Sequence, residues 1–135
     1  MSHLPTSPLL AAALWSGVLI LWLVGLSVQV VLKRRRHKVL FGDGGNPAMT
    51  TATRAFGNAA EYIPPGLAAL ILLALIGIPA VWINGIGATL LAGRVIHGLG
   101  LIYLRGPSIG RVLGMALTWL ALIGAAGMLI VHSLA

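Results

Sequence analysis

Between Leu9 and Leu32 the chain runs for 24 residues without a formal charge. About 20 apolar residues cross the hydrocarbon core of a bilayer as a helix, so this stretch predicts one membrane span. The pattern breaks at Lys33-Arg34-Arg35-Arg36-His37-Lys38 and then at Phe41-Gly42-Asp43-Gly44-Gly45-Asn46-Pro47, where glycine, Asp, Asn and Pro give dense turn chemistry. The chain leaves the membrane there. No strand precedes these glycines and no P-loop lysine follows them, which excludes a phosphate cradle. Apolar positions resume in a second helix starting between Pro47 and Thr51, with a kink expected at Pro64-Pro65. An uncharged turn at Gly77 to Pro79 leads to a third span, and the short basic loop Arg105 to Arg111 leads to a fourth. The spans fall at about 9–32, 52–78, 81–104 and 111–134. Backbone groups in lipid must be satisfied internally, so the expected fold is all-α: an integral membrane four-helix bundle.

Composition agrees with this reading. Hydrophobic residues make up 59% of the 135-residue chain and charged residues only 8%, which excludes an ordinary soluble domain. The net charge of +7 is concentrated, with five of the nine Lys and Arg directly after the first span. Such a run sets topology and touches anionic lipid, and no nucleic-acid partner is expected. All the Lys and Arg outside the spans sit in the first and third loops, so the positive-inside rule places both basic loops in the cytoplasm and both termini outside. Met1 to Pro8 has no basic run, so the first span reads as retained rather than as a cleaved signal. The absence of cysteine excludes a thiolate metal site and a cysteine nucleophile, and no metal is expected.

The polar positions inside the spans are where chemistry is sought. Arg54, Asn58 and Glu61 are spaced i, i+4 and i+7 and share one helix face. Glu61 is one of two acids in the protein, and a carboxylate entering hydrocarbon costs roughly 2.5 kcal/mol or more at mid-bilayer. It calls for a partner or a role. Arg94 and His97 share a face of the third span at a comparable distance from the same membrane surface, so an inward Arg54–Glu61 face paired with Arg94 is expected. Gly106, Gly110 and Gly114 are spaced for close helix approach. Arg, Asn, Glu and His at one depth suit a small anionic ligand meeting a lipid-soluble one, in a pocket completed between protomers. The alternative is a non-catalytic staple between helices. A proton-coupled exporter suits Glu61 poorly, because nearby arginines would hold it ionised and repel a cation.

Four ordered motifs carry a resemblance: F-G-D-G-G-N at Phe41 to Asn46, R-A-x-x-N-x-x-E-Y-x-P at Arg54 to Pro64, G-R-x-x-H at Gly93 to His97, and R-x-x-G-x-x-x-T at Arg111 to Thr118. With these the chain resembles the MAPEG family, the membrane-associated proteins of eicosanoid and glutathione metabolism, and its small bacterial members in particular. The resemblance implies a bacterial inner-membrane homotrimer with glutathione in clefts between protomers, open to the cytosol. It implies that Arg54, Asn58, Glu61 and Tyr62 hold the peptide, with Arg34 or Arg35 reaching it from the first helix and Arg94 and His97 matching the third-helix motif. Arg111, or alternatively Arg105, would stabilise the glutathione thiolate for transfer to a hydrophobic small molecule or for reduction of a lipid hydroperoxide. Two positions depart from the pattern. Phe56 stands where many members have histidine, and Leu101 where the eicosanoid- and glutathione-transferring members have tyrosine. No eicosanoid-specific role is implied.

Overall fold

The computed structural model describes residues 4–103 and 108–135. Four helices, α1 (Pro8–His37), α2 (Pro47–Leu75), α3 (Ala80–Tyr103) and α4 (Ile109–Leu134), account for nearly all of them, and the described residues contain no strand. Each helix is long and apolar enough to cross a bilayer. The protein is an integral membrane four-helix bundle.

The ends of the helices follow from local chemistry. Ser7, Asn46 and Ser108 occupy N-cap positions, with Pro8 and Pro47 in the first turns of α1 and α2, where a missing N–H costs nothing. The Asn46 side chain accepts a hydrogen bond from the Ala48 N–H at 2.9 Å. Helix α1 does not stop with its apolar run. It continues through the arginines to His37, and Lys38 closes it in a left-handed conformation (φ 54°) by donating its N–H to the carbonyls of Arg34 and Arg35. The loop that follows reverses on Gly42, Gly44 and Gly45, all at positive φ.

Helix α2 starts at Pro47, the early end of the expected Pro47–Thr51 range, where Asn46 caps it, and ends at Leu75. It continues through Pro64 and Pro65, which lie on its exposed side. Each proline lacks the N–H that would reach the carbonyls of Ala60 and Glu61.

Packing is uneven around the bundle. Helices α2 and α3 touch each other and both of the remaining helices, whereas α1 and α4 do not meet among the described residues. The cross-section is thus a rhombus with α2 and α3 on its short diagonal. The core between them is aliphatic, formed by Leu19, Ala55, Ala59, Ile63, Leu70, Ile83, Leu90 and their neighbours. The α3–α4 contact is the closest in kind: a Cβ at Gly114 would lie 2.5 Å from the His97 backbone nitrogen, and one at Gly93 would lie 2.9 Å from the Gly114 carbonyl oxygen. Two backbones approach here with no side chain between them, as small-residue packing in membranes allows. Gly110 also faces α3, with Gly100 opposite, while Gly106 lies outside the described residues.

At the far end of the bundle, the Trp15 indole N–H donates to Asn84 Oδ1 at 2.9 Å, and the Asn84 amide donates to the Pro5 carbonyl at 3.1 Å. This chain of bonds ties the start of α1 to α3.

Candidate functional site

The polar residues of α2 divide between two directions. At about 100° per residue, the buried positions Ala52, Ala55, Ala59, Ile63, Gly66 and Leu70 define one face of the helix. Asn58 and Tyr62 flank that face, whereas Arg54 and Glu61 lie about 140–160° from its centre. Asn58 and Tyr62 are accordingly half-buried, and Arg54 and Glu61 are exposed. The stripe expected to face inward therefore splits. Its two formal charges point out of the bundle, and neither makes a hydrogen bond or ion pair among the described residues.

Arg94 fills the inward direction. It is 1% exposed and ranks among the largest fully buried side chains of the chain. Glu61 is not its partner. Arg94 Nη1 donates to Asn58 Oδ1 at 2.7 Å and Nε donates to Thr118 Oγ1 at 2.8 Å, while Nη2 meets the Gly114 carbonyl at 3.5 Å and Met115 Sδ at 3.3 Å. The guanidinium also lies over the Tyr62 ring, 5.0 Å from its centroid. Thr118 completes the arrangement by donating its own hydroxyl to the Gly114 carbonyl at 2.8 Å. Arg94 is thus held by neutral acceptors and a π face contributed by α2 and α4. The helices pair as the sequence predicts, but through a carboxamide rather than a carboxylate.

One chemical consequence is firm. A guanidinium has donors only, so Asn58 must turn its carbonyl oxygen toward Arg94 and its NH2 group away. The amide is left with two donors to offer an acceptor outside the cluster. Glu61 and Arg94 each lie 14 residues from the ends of their helices at the α2–α3 turn, about 21 Å along the axis, so inward and outward groups share one depth.

The remaining candidates fall around this level. His97 is buried one turn beyond Arg94, its backbone against Gly114. With Ser108, Arg111, Val112, Met115, Ala116 and Trp119 it lines an open cleft of about 440 Å³ between the end of α3 and the start of α4. Arg111 is half-buried, and its N–H donates to the Ser108 hydroxyl at 3.3 Å. Arg105 lies outside the described residues. The two candidates on α1 differ in their engagement: Arg34 Nη1 donates to the carbonyls of Leu40 (3.3 Å) and Gly42 (3.0 Å), whereas Arg35 is exposed. Phe56 and Leu101, the two departures from the family pattern, pack against the aliphatic core, and Tyr103 is exposed.

Two members of the buried cluster, Thr118 and Met115, had no role assigned from sequence. A signal for Thr118 was present, since it stands one turn after Gly114 and so faces the same neighbouring helix.

In the loop before α2, the Asp43 carboxylate accepts from the Thr50 hydroxyl at 2.7 Å and from the Gly45 N–H at 3.0 Å. These bonds, that from Thr50 foremost, hold its pKa below the ordinary value of 3.8.

Comparison with known proteins agrees with this architecture. The chain is 33% identical over 114 residues to the inner membrane protein YecN of Escherichia coli K12, an alignment covering 84% of this chain and 86% of the relative. The YecN protein of Escherichia coli O6:H1 matches with the same identity and coverage. The sequence description of the MAPEG family matches residues 12–131, spanning all four helices and the whole polar cluster. With the motifs on α2, α3 and α4 in their places around Arg94, the chain belongs to the MAPEG family.

Proposed function

We propose that this protein is an inner-membrane glutathione-binding protein that assembles as a homotrimer and presents the glutathione thiolate to hydrophobic electrophiles or lipid hydroperoxides. The observation that carries this reading is the outward direction of Arg54 and Glu61. Two formal charges on the lipid-facing side of a membrane-crossing helix are costly if nothing covers them. A neighbouring protomer and a zwitterionic ligand would supply both the cover and the counter-charges.

In this reading the Arg54 fork binds a ligand carboxylate, Glu61 accepts its ammonium, and the free Asn58 NH2 meets a carboxylate or amide oxygen. Arg94 fixes Asn58 and Tyr62 from behind. Arg35, and Arg34 if it releases the loop, reaches the ligand from α1, and His97 borders the cleft. Arg111, with Arg105 as the alternative, stabilises the thiolate. A thiol of pKa near 8.5 is mostly protonated at neutral pH, and an adjacent guanidinium in an apolar cleft lowers that value. In transfer, the thiol proton leaves to water and the thiolate sulfur bonds to the electrophilic carbon, either as a leaving anion departs with its electron pair or as an activated double bond opens and its electron pair takes a proton from water. In peroxide reduction, two glutathiones become the disulfide as the hydroperoxide becomes alcohol and water. Neither route needs a covalent enzyme intermediate. The apolar cleft beside Arg111 suits an acceptor arriving from the bilayer.

Calorimetric titration of reduced glutathione into the protein in mild detergent, with oxidised glutathione as control, tests the reading. Saturable binding is expected, and it should be lost in Arg54→Ala and in Glu61→Gln while the oligomer survives. Retained affinity in both variants would overturn the site assignment. The neutral, fully engaged environment of Arg94 favours a second reading, a non-catalytic membrane protein whose cluster only staples helices. An absence of heat at millimolar glutathione, with assembly lost in the Arg54 and Glu61 variants, would support it.

A further inference from the structure

The basic run after the first span is two sets of residues with different engagements. Lys33, Arg34 and His37 are committed to the loop and the first turn of α2: Lys33 Nζ donates to the Ala48 carbonyl at 3.3 Å, Arg34 holds the carbonyls of Leu40 and Gly42, and His37 Nδ1 lies 3.0 Å from the Asn46 amide nitrogen. Arg35, Arg36 and Lys38 are exposed and make no side-chain bond among the described residues. The anchored loop presents two large apolar side chains beside them. Leu40 is 84% exposed and Phe41 88%, the highest value among the described large hydrophobic residues.

Counter-charge for the free cations is not available within the chain. The protein has two acids, of which Asp43 is occupied by Thr50 and Gly45, and Glu61 lies well down α2. A second copy would bring the same cations and the same shortage of acids. Depth points the same way. The apolar run ends at Leu32, and α1 rises about 4–6 Å further to reach Arg35 and Arg36. A headgroup layer is of about that thickness on each side of the hydrocarbon.

We propose that Arg35, Arg36 and Lys38, together with Leu40 and Phe41, form a site for anionic phospholipid headgroups. The three cations meet the phosphates, and the two apolar side chains enter the headgroup–acyl boundary beside them. The bonds from Lys33, Arg34 and His37 hold the loop in the shape that presents both. Arg35 is the one residue shared with the proposed glutathione site, whereas Arg36, Lys38, Leu40 and Phe41 serve the lipid site alone, whatever the ligand of that other site.

Because the chain has no cysteine, a nitroxide attached to Leu40→Cys is a unique reporter. The labelled protein is reconstituted in phosphatidylcholine bilayers with and without phosphatidylglycerol, and the accessibility of the label to oxygen and to a water-soluble nickel complex is compared. The label is expected to be protected from nickel in bilayers containing phosphatidylglycerol. It should become nickel-accessible when that lipid is omitted or when Arg35, Arg36 and Lys38 are all changed to Gln. In detergent, phosphatidylglycerol binding should weaken roughly fivefold for each cation removed. Should the triple variant fail to assemble, the wild-type protein decides: its phosphatidylglycerol affinity must fall steeply with added salt. A label at one depth irrespective of lipid charge, or phosphatidylglycerol affinity insensitive to salt or to loss of the three cations, would overturn the proposal.

Discussion

Arg94 and Arg54 lie on neighbouring helices of the same bundle, yet their surroundings are opposite. Arg94 is enclosed by Asn58, Tyr62, Thr118, Gly114 and Met115, and four of its contacts are hydrogen bonds to neutral acceptors. Arg54 is exposed on the outside of α2 beside the equally exposed Glu61. The inner cation spends its donors on the fold, whereas the outer pair keeps its hydrogen-bonding capacity for something outside the bundle. The difference teaches that polar residues at one membrane depth need not form one site. Asn58 joins the two regions, because its oxygen is taken by the inner cation and its NH2 is left for the outer side.

The largest expected effect comes from Arg94→Ala, which leaves Asn58 and Thr118 without a donor and opens a cavity between three helices. A loss of about 3 kcal/mol is expected in unfolding by a denaturing detergent in mixed micelles. Arg94→Lys should recover only part of it, since an ammonium lacks the planar fork. Arg54→Ala and Glu61→Gln should each change the same measurement by less than about 0.5 kcal/mol in the monomeric bundle. Equal costs for the inner and outer changes would dissolve the distinction.

Next in size is Gly114→Ala. Its Cβ would meet the His97 backbone, which cannot swing aside as a side-chain tip would, so about 1–3 kcal/mol of destabilisation is expected. A near-neutral result would mean that the α3–α4 approach is looser than the structure has it.

Asn58→Asp sharpens the comparison most selectively. A carboxylate keeps an acceptor on Arg94 but removes both N–H donors on the outer side. Stability should therefore be kept while glutathione affinity falls at least about tenfold, the loss of one charge-assisted bond. Asn58→Ala should lose both. Affinity retained in Asn58→Asp would show that the outer side does not use the amide as a donor.

The smallest effect belongs to the loop. The Asp43 pKa is depressed in the folded protein, so its bonds stabilise the fold above the ordinary carboxylate pKa of about 4, and that contribution disappears as pH falls through the lower folded value. Thr50→Val should flatten this acid limb by slightly lowering the melting temperature at neutral pH, with no change below the folded pKa. An unaltered limb would remove Thr50 from the account.

Much of this protein was legible in its sequence because a bilayer is a severe solvent. Long uncharged runs must be helices there, which gave four spans, and turn chemistry at Phe41 to Pro47 and Gly77 to Pro79 separated three of them. The rarity of charge in the spans singled out Arg54, Glu61 and Arg94 before any coordinate was known. Periodicity also bore on which α2 residues share a face, but spacing alone does not say which direction is inward. That was decided by the small residues Ala52, Ala55, Ala59 and Gly66, which let α2 approach its neighbours and rotate Arg54 and Glu61 away from them. The choice of Asn58 rather than Glu61 as the partner of Arg94, and the recruitment of Thr118 from α4, belong to the tertiary structure alone. They depend on how three helices are rotated and how closely Gly93 and Gly114 let two of them meet, and neither quantity is written in any single helix.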